Sequence, residues 1–259
     1  WAFGFPQSTS AWAQPAVAGG RLFVGSQNGD IYALDARTGC GHWTYSARTG
    51  VRTAISVGPQ GDGYALYFGD VGANVYAIDA ETGTELWSRN VESHPGARIT
   101  GAPTLHEGRL YVPVSSVEEA LAANADYGCC TFRGSVVVLD GATGEQLWKS
   151  FTILEEPSPR DTGPDGTTRS GPAGAAIWGA PTIDAERGLV YAATGNAYTQ
   201  PAAETSDAIV AFDIDTGEIR WFNQLTPADA FIVGCGGNNP NCPDDEGPDH
   251  DFGASPALV

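Results

Sequence analysis

The sequence lacks methionine and is poor in basic residues. There is no Met among its 259 residues, and 13 Lys and Arg stand against 31 Asp and Glu, which gives a net charge of −18. Such an acidic surface repels phosphate backbones and anionic lipid heads, so nucleic acid and membrane surfaces are poor partners. Because neither an initiator Met nor a signal peptide is present, we expect a processed chain or a fragment.

Long apolar runs and metal-binding Cys/His clusters are also missing. No stretch approaches the roughly 18 consecutive apolar residues of a membrane-spanning helix. The sequence has no Cys-x-x-Cys-His motif for covalent c-type haem and no zinc-like spacing of Cys and His. By contrast, 34 Gly and 17 Pro predict many turns and short strands, and 42% hydrophobic residues suffice for a sizeable core.

An eleven-residue pattern recurs four times along the chain. In each copy, Asp is followed by Gly at +4 and Trp at +8. The tryptophans, which mark the predicted blade ends, are Trp43, Trp87, Trp148 and Trp221. Units of about 40 residues with short β-rich runs are typical of four-stranded propeller blades. We therefore predict an all-β fold, a β-propeller of about four blades in which each Trp docks onto the neighbouring blade.

Two turns are predicted in each unit, and the first copy contains both. Asn28-Gly29 lies between two β-rich runs and predicts a two-residue hairpin turn in which both residues have positive φ. Asp35 to Gly39 predicts a second tight turn. In that turn the Asp carboxylate accepts backbone amides, and Gly takes the left-handed conformation.

The later units are longer than the first two, and the chain stops within a unit. The extra material lies in four insertions, 115–134, 151–177, 194–207 and 224–252. Insertions in a repeat fold usually lie on one face and carry function. Residues 252–259 read like the first strand of a further blade. We therefore expect residues 1–259 to form one partial propeller domain, cut from a larger ring and with exposed edges.

The repeated Ala-x-Asp-x-x-Thr-Gly-x-x-x-Trp pattern is similar to the tryptophan-docking motif of quinoprotein alcohol dehydrogenases. These are eight-bladed propellers that hold pyrroloquinoline quinone (PQQ) and calcium. Cys129-Cys-Thr-Phe-Arg-Gly-Ser135 and Gly247-Pro-Asp-His-Asp-Phe-Gly-Ala-Ser-Pro256 resemble the polyvinyl-alcohol dehydrogenase branch. The resemblance implies oxidation of secondary or polymeric alcohols by hydride transfer to PQQ, with Ca²⁺ as Lewis acid and an Asp as general base. It also implies a periplasmic or secreted location and a cytochrome c electron acceptor.

The resemblance assigns metal ligands and a catalytic base. In the family a Ser-Ser-x-x-Glu segment supplies a calcium ligand, which here is Glu119, with Glu118 as the alternative. Asn196 matches the family's amide ligand. Asp251 matches the catalytic Asp and a third metal ligand, and Asp249 competes with it. Judged without the motifs, Asp251 is a solvated acid of an acidic loop and Glu119 lies on a short surface helix.

The resemblance also assigns four positions around the quinone. Trp178 lies eighteen positions before Asn196, which is the family's spacing for the Trp that forms the floor under the quinone. Arg52 matches a basic residue beside the quinone. Thr100 and Ser116 resemble the hydroxyls that bind the quinone carboxylates.

Two features depart from parts of the family. Methanol-oxidising members place a vicinal Cys pair just before the basic residue, whereas here Cys129-Cys130 lies in the first insertion. Lanthanide-using members carry a further Asp two residues after the catalytic one. This chain has Gly253 at that position, so calcium is the expected ion.

The five cysteines allow two disulfides. Cys235 and Cys242 bracket a short loop, and a disulfide between them would steady the segment that carries Asp251. Cys129 and Cys130 could form a vicinal disulfide, which leaves Cys40 over. Both disulfides require an oxidising compartment, and reduced, buried thiols are the alternative.

Two other functions compete with alcohol oxidation. Non-catalytic propeller scaffolds, which bind proteins, share the same repeat. A scaffold has no reason, however, to place Ser-Ser-x-x-Glu, Trp-x17-Asn and Asp-Phe-Gly in consecutive units. A propeller hydrolase would need a nucleophile paired with His, and the sequence offers no such pairing.

Overall fold

The computed structural model describes residues 1–162, 166–235 and 239–259, which form nineteen strands and one short helix. No helix in these ranges is long and apolar enough to cross a membrane. The chain divides into two compact units. Unit 1 comprises Trp1–Pro113 and Val137–Trp148, and unit 2 comprises Val114–Val136 and Lys149–Val259.

The first two sheets are four-stranded antiparallel meanders in unit 1. One has the order β1-β2-β3-β4 and contains β1 (Ala16–Ala18), β2 (Arg21–Gly25), β3 (Asp30–Asp35) and β4 (Gly41–Ser46). The next has the order β5-β6-β7-β8 and contains β5 (Ser56–Gln60), β6 (Gly63–Gly69), β7 (Asn74–Asp79) and β8 (Glu85–Asn90). Apolar side chains of both sheets form one buried cluster, which includes Phe23, Ile31, Leu66, Phe68 and Ile78. The first two sheets therefore bury apolar side chains against each other.

The remaining strands form two further sheets and a hairpin. The third sheet contains β9 (Ala97–Arg98), β10 (Thr104–His106), β11 (Arg109–Ser116), β12 (Ser135–Asp140) and β13 (Gln146–Phe151), and helix α1 (Glu118–Leu121) follows β11. The hairpin contains β14 (Ser158–Thr162) and β15 (Thr168–Gly171). The last sheet contains β16 (Thr182–Asp184), β17 (Leu189–Ala193), β18 (Ala208–Asp213) and β19 (Ile219–Gln224).

The Asp-to-Gly turn of the repeat has the predicted chemistry. Asp35 Oδ1 accepts the backbone N–H groups of Arg37 and Thr38 at 3.1 and 2.7 Å, and also the Thr38 hydroxyl. Gly39 has a φ of +76°, in the left-handed region. The hydrogen bonds from Thr38 hold the pKa of Asp35 below its ordinary value. The same turn recurs at Asp79, Asp140 and Asp213.

The two-residue hairpin predicted at Asn28-Gly29 is wrong. Because β2 ends at Gly25 and β3 begins at Asp30, the loop has four residues, 26–29. Gly29 has a φ of +98°, whereas Asn28 is not in the positive-φ region. The backbone N–H and the hydroxyl of Ser26 both donate to the Asp30 carbonyl, at 2.9 and 3.0 Å. These hydrogen bonds close a loop that is longer than the predicted two-residue turn. Within this loop, only Gly29 takes the left-handed conformation.

Two repeat tryptophans of unit 1, Trp43 and Trp87, pack on the turn glycine of the next repeat. The indole of Trp43 lies against Gly83 and that of Trp87 against Gly144, so closely that a Cβ on either glycine would collide with the ring. Trp1 makes the same contact with Gly39. The predicted docking of tryptophan onto the neighbouring sheet is therefore confirmed for Trp43 and Trp87.

Both predicted disulfides are present. Cys129 is bonded to Cys130, and Cys235 to Cys242 with a Cα–Cα distance of 5.7 Å. Cys40 is free and exposed, as expected.

Candidate active site

Unit 2 contains the four predicted insertions and most of the predicted site residues. The site residues that belong to this unit are Ser116, Glu119, Trp178, Asn196 and Asp251. Arg52 and Thr100 belong to unit 1. There the Arg52 guanidinium carbon lies 4.5 Å from the ring centroid of Trp12. The assignment of Arg52 and Thr100 to the quinone stays a prediction.

A hydrogen bond joins Asp251 to Asn196, although the two residues are 55 positions apart in the sequence. Asp251 Oδ1 accepts the backbone N–H of Asn196 at 2.9 Å. Gly195 makes this approach possible, because a Cβ at position 195 would collide with the same carboxylate oxygen. The predicted base and one predicted metal ligand therefore lie side by side.

The side-chain amide of Asn196 has a fixed orientation. The residue is 1% exposed, and Nδ2 donates to the carbonyls of Ala197 and Phe231, both at 2.8 Å. Since both N–H bonds of the amide are used, Oδ1 points away from these carbonyls. An amide oxygen held in this way is a ligand that calcium accepts.

Trp178 provides a flat surface beside Asp251. A Cβ at Gly253 would collide with Nε1 of the indole, and a Cβ at Gly195 would lie 3.8 Å from its Cη2. The ring therefore extends from the residue before Asn196 to the segment that follows Asp251. A half-buried aromatic face next to a carboxylate suits a planar conjugated ligand.

Glu118, the alternative metal ligand, is already engaged by protein groups. It is fully buried, and its carboxylate accepts the Tyr127 hydroxyl at 2.9 Å and the backbone N–H of Phe132 at 2.8 Å. Both oxygens also accept the N–H of Thr131, at 2.9 and 3.1 Å. Glu118 therefore holds the segment that carries Cys129 and Cys130 rather than pointing free into a site.

Glu119 shares the environment of Asp251. Burial, and then the negative charges of Asp251 and Asp249, raise the pKa of Glu119 to about 7. Burial also raises the pKa of Asp251, although the N–H of Asn196 opposes that shift. Ser116 lies close by in the sequence, and its Oγ accepts the N–H of Glu118 at 2.8 Å.

Two buried acids that sequence reasoning did not single out lie in the same region. Asp207 is fully buried, and within the described residues neither of its carboxylate oxygens has a hydrogen-bond partner. Burial, followed by the charges of Asp229 and Asp251, raises the pKa of Asp207 to about 8. Asp229 is also fully buried and accepts backbone N–H groups. No motif marks them, and their only sequence signal is that both lie in insertions.

Tyr198 is a further residue without a sequence signal. It is 2% exposed, and burial, followed by the charges of Glu119 and Glu118, raises its pKa well above the ordinary value. The phenol therefore stays neutral beside the acids.

No Lys or Arg of unit 2 forms an ion pair with Glu119, Asp207 or Asp251 in the described part of the chain. The six basic residues of this unit contact other groups: Arg133, Lys149, Arg160, Arg169, Arg187 and Arg220. The fully buried carboxylate of Asp207 in particular requires a compensating proton or cation. Carboxylate and amide oxygens are the hard ligands that Ca²⁺ prefers, and the assignment of Glu119, Asn196 and Asp251 as its ligands stays a prediction.

In the described residues, the Cys and acidic side chains that lie close enough together to hold a metal ion are Cys235, Cys242 and Glu246. The two sulfur atoms are joined in the disulfide, which leaves no thiolate for a metal. This group therefore offers no cysteine ligand to a metal ion.

Comparison with known proteins identifies the class. The PQQ_2 family, described as "Outer membrane protein assembly factor BamB", matches residues 1–233, and the chain belongs to this family. Its fold is similar to that of quinohemoprotein alcohol dehydrogenase from Comamonas testosteroni, with a TM-score of 0.66 and 26% identity over 86% of this chain and 36% of that chain. The predicted all-β fold of the β-propeller class is confirmed.

Within this class, the chain is similar to polyvinylalcohol dehydrogenases. It is 46% identical to the enzyme of Pseudomonas sp. over 100% of this chain, and 43% identical to that of Sphingopyxis sp. (strain 113P3) over 99%. The chain spans 40% of the length of each of these relatives. The resemblance to the polyvinyl-alcohol branch of the quinoprotein alcohol dehydrogenases is confirmed.

Proposed function

We propose that the protein is a PQQ- and calcium-dependent dehydrogenase of secondary or polymeric alcohols such as polyvinyl alcohol. The observation that carries this proposal is the hydrogen bond between Asp251 and the backbone of Asn196. It places a half-buried carboxylate against the backbone of the predicted amide ligand, in a region that also contains Asp249 and Asp229. The names of the similar proteins point to the same chemistry.

Different residues of unit 2 would bind the calcium ion and the quinone. Glu119, the Oδ1 atom of Asn196 and Asp251 would hold Ca²⁺, whereas Trp178 would support one face of the quinone and Ser116 would offer a hydroxyl. When bound, the ion supplies a Lewis acid and the quinone supplies a two-electron acceptor for the hydride of the carbinol carbon.

Asp251 is the proposed general base. The N–H of Asn196 occupies Oδ1 and orients the carboxylate, so Oδ2 is the atom that accepts the hydroxyl proton of the alcohol. As that proton moves to Asp251 and the C–H bond breaks with its electron pair, the alcohol carbon becomes a carbonyl carbon.

The competing function is a protein-binding scaffold, because the matching family carries the description of an assembly factor. The buried carboxylate of Asp207, which has no hydrogen-bond partner among the described residues, favours the enzyme over the scaffold. Burial of an ionisable group destabilises the fold, and such groups therefore cluster at sites that use them. A protein-binding scaffold has no evident use for such a group.

Location and electron acceptor follow from the same proposal. The two disulfides support an oxidising compartment, the periplasm or the cell exterior. We further propose a cytochrome c as the electron acceptor, since the relative in Comamonas testosteroni is a quinohemoprotein.

The test is the dye-linked oxidation of secondary alcohols and polyvinyl alcohol by the full-length protein loaded with PQQ and Ca²⁺. Asp251→Asn retains an oxygen for the N–H of Asn196 but removes the base, so kcat should fall by about 10²–10⁴. Glu186→Gln removes an exposed acid of the same unit and should leave kcat unchanged. Wild-type activity without added quinone, or an undiminished Asp251→Asn, would contradict the proposal.

A further inference from the structure

The segment from Asp229 to Phe231 connects to the part of the chain that carries Asn196. The Ala197 N–H donates to the Asp229 carbonyl at 3.2 Å, and the Phe231 N–H donates to the Ala197 carbonyl at 2.9 Å. The Asn196 side chain adds a third hydrogen bond, from Nδ2 to the Phe231 carbonyl at 2.8 Å. The predicted amide ligand is therefore anchored on this segment by backbone and side chain together.

The same segment also forms hydrogen bonds with the part of the chain that leads to Asp251. The Asp229 carboxylate accepts two consecutive backbone N–H groups, that of Asp249 at 3.2 Å on Oδ1 and that of His250 at 2.8 Å on Oδ2. The Gly247 N–H donates to the Ala230 carbonyl at 3.0 Å. Each Asp229 oxygen thus binds the backbone immediately before the proposed base.

The contact between Gly247 and Asp229 leaves no free space. A Cβ at position 247 would collide with the Cα, Cγ and Oδ1 atoms of Asp229. Asp229 is 0% exposed, so water does not compete for its hydrogen bonds. A buried carboxylate with two charge-assisted backbone hydrogen bonds holds its partners in one geometry.

We propose that Asp229 is a positioning residue that sets the direction of the Asp251 side chain relative to Asn196. Its oxygens are both engaged by backbone N–H groups, so it has no catalytic role of its own. It fixes two peptide units directly before Asp251 and, through its backbone, the residue directly after Asn196. This inference rests on the proposed function, because Asp229 affects catalysis only if Asp251 is the general base.

The test compares Asp229→Asn with the wild type in the loaded, full-length enzyme. The amide retains one acceptor oxygen but turns an N–H₂ group toward a backbone N–H, so one of the two hydrogen bonds is lost. We expect kcat to fall by about tenfold to a hundredfold with KM within about twofold, since substrate is not touched. We also expect faster hydrogen–deuterium exchange of the Asp249 and His250 amides, which is measured without substrate or quinone.

The matched control is Asp140→Asn. Asp140 likewise accepts two backbone N–H groups, from Ala142 at 3.0 Å and Thr143 at 2.8 Å, but in a repeat turn of unit 1. This variant should speed exchange in its own turn and leave kcat unchanged. A purely structural role for Asp229 predicts the same behaviour for both variants.

Gly247→Ala is a second variant for the case in which Asp229→Asn does not fold. It leaves the carboxylate in place but crowds it, so we expect the same loss of kcat and the same faster exchange at positions 249 and 250. A kcat within twofold of wild type, or a lower kcat with unchanged exchange, would overturn the inference. Asp251→Asn separates the two proposals, because full activity of that variant removes the proposed function itself.

Discussion

At the scale of the residue, two adjacent glutamates have different surroundings. Glu118 is saturated by the Tyr127 hydroxyl and by backbone N–H groups, whereas Glu119 lies near the negative charges of Asp251 and Asp249. An ion that replaces the proton on Glu119 would relieve this repulsion. Competition between proton and cation therefore gives the site a pH dependence that can be measured.

We expect the affinity of the quinone-free, full-length protein for Ca²⁺ to rise with pH up to about 7 and then to level off. Below the pKa of about 7, Glu119 holds a proton that must leave before the ion binds, so affinity should fall up to about tenfold per pH unit. Isothermal titration calorimetry between pH 5.5 and 8.5 measures this slope.

Glu119→Gln is the informative variant for this slope. It should bind Ca²⁺ more weakly and lose most of the pH dependence near 7, whereas Glu186→Gln, at an exposed position, should behave as the wild type. If Glu119→Gln kept the wild-type slope, Glu119 would not be a ligand.

Residues such as Asn196 and Asp251 could be selected from the sequence because they stand in motifs. Asp207 and Asp229 could not, because what distinguishes them is complete burial, and burial depends on which segments pack around them. For the same reason, the sequence could not decide whether Glu118 or Glu119 is the metal ligand. Their neighbours in space come from residues 127–132 in one case and 249–251 in the other.

At the scale of the element, the repeat works through a contact between an indole and a glycine without a Cβ. Gly83 has a φ of +74° and supports the ring of Trp43. The glycine is therefore required twice, once for its backbone conformation and once for the space that it leaves.

Replacement of Gly83 by Ala separates these two requirements when it is compared with Gly20→Ala. Gly20 has a similar φ of +78°, but a Cβ at this position would meet no atom within 4 Å. Both variants should lose about 1–2 kcal/mol for the left-handed conformation. Gly83→Ala should lose about 1–3 kcal/mol more, since the methyl group displaces the indole.

Urea unfolding, followed by tryptophan fluorescence, measures both free energies of unfolding. Equal losses for Gly83→Ala and Gly20→Ala would show that the docked indole adds nothing to stability at this position.

The Asp-to-Gly turn was predictable because its hydrogen bonds are local, between Asp35 and residues two and three positions later. The hairpin at Asn28-Gly29 was not, because Ser26 closes a longer loop by bonding to Asp30. A dipeptide pattern does not contain that closure.

At the scale of the whole molecule, the insertions are concentrated in one of the two units. Unit 1 contains the first two meanders, and unit 2 contains all four insertions, both disulfides and the acid cluster. Long segments without regular sheet structure carry much backbone entropy, which cross-links reduce.

We expect the double variant Cys235→Ser/Cys242→Ser to lose about 2–3 kcal/mol of stability, the loop-closure value for a sequence separation of 7. Urea unfolding of the full-length protein measures the loss, with Cys40→Ser, at an exposed free thiol, as the control. A double variant as stable as the control would mean that other contacts hold this loop closed.

By itself, the sequence determined the β-propeller class, the Asp-to-Gly turns of the repeat and the residues that stand in family motifs. These features are carried by periodicity and by contacts between near neighbours in the chain, which the order of residues records directly. Tertiary structure decided which acids are buried, that Glu118 is engaged and that Asp229 reaches the backbone before Asp251. Those outcomes depend on contacts across 14 to 21 positions or more, where the path of the chain, not its local pattern, brings groups together.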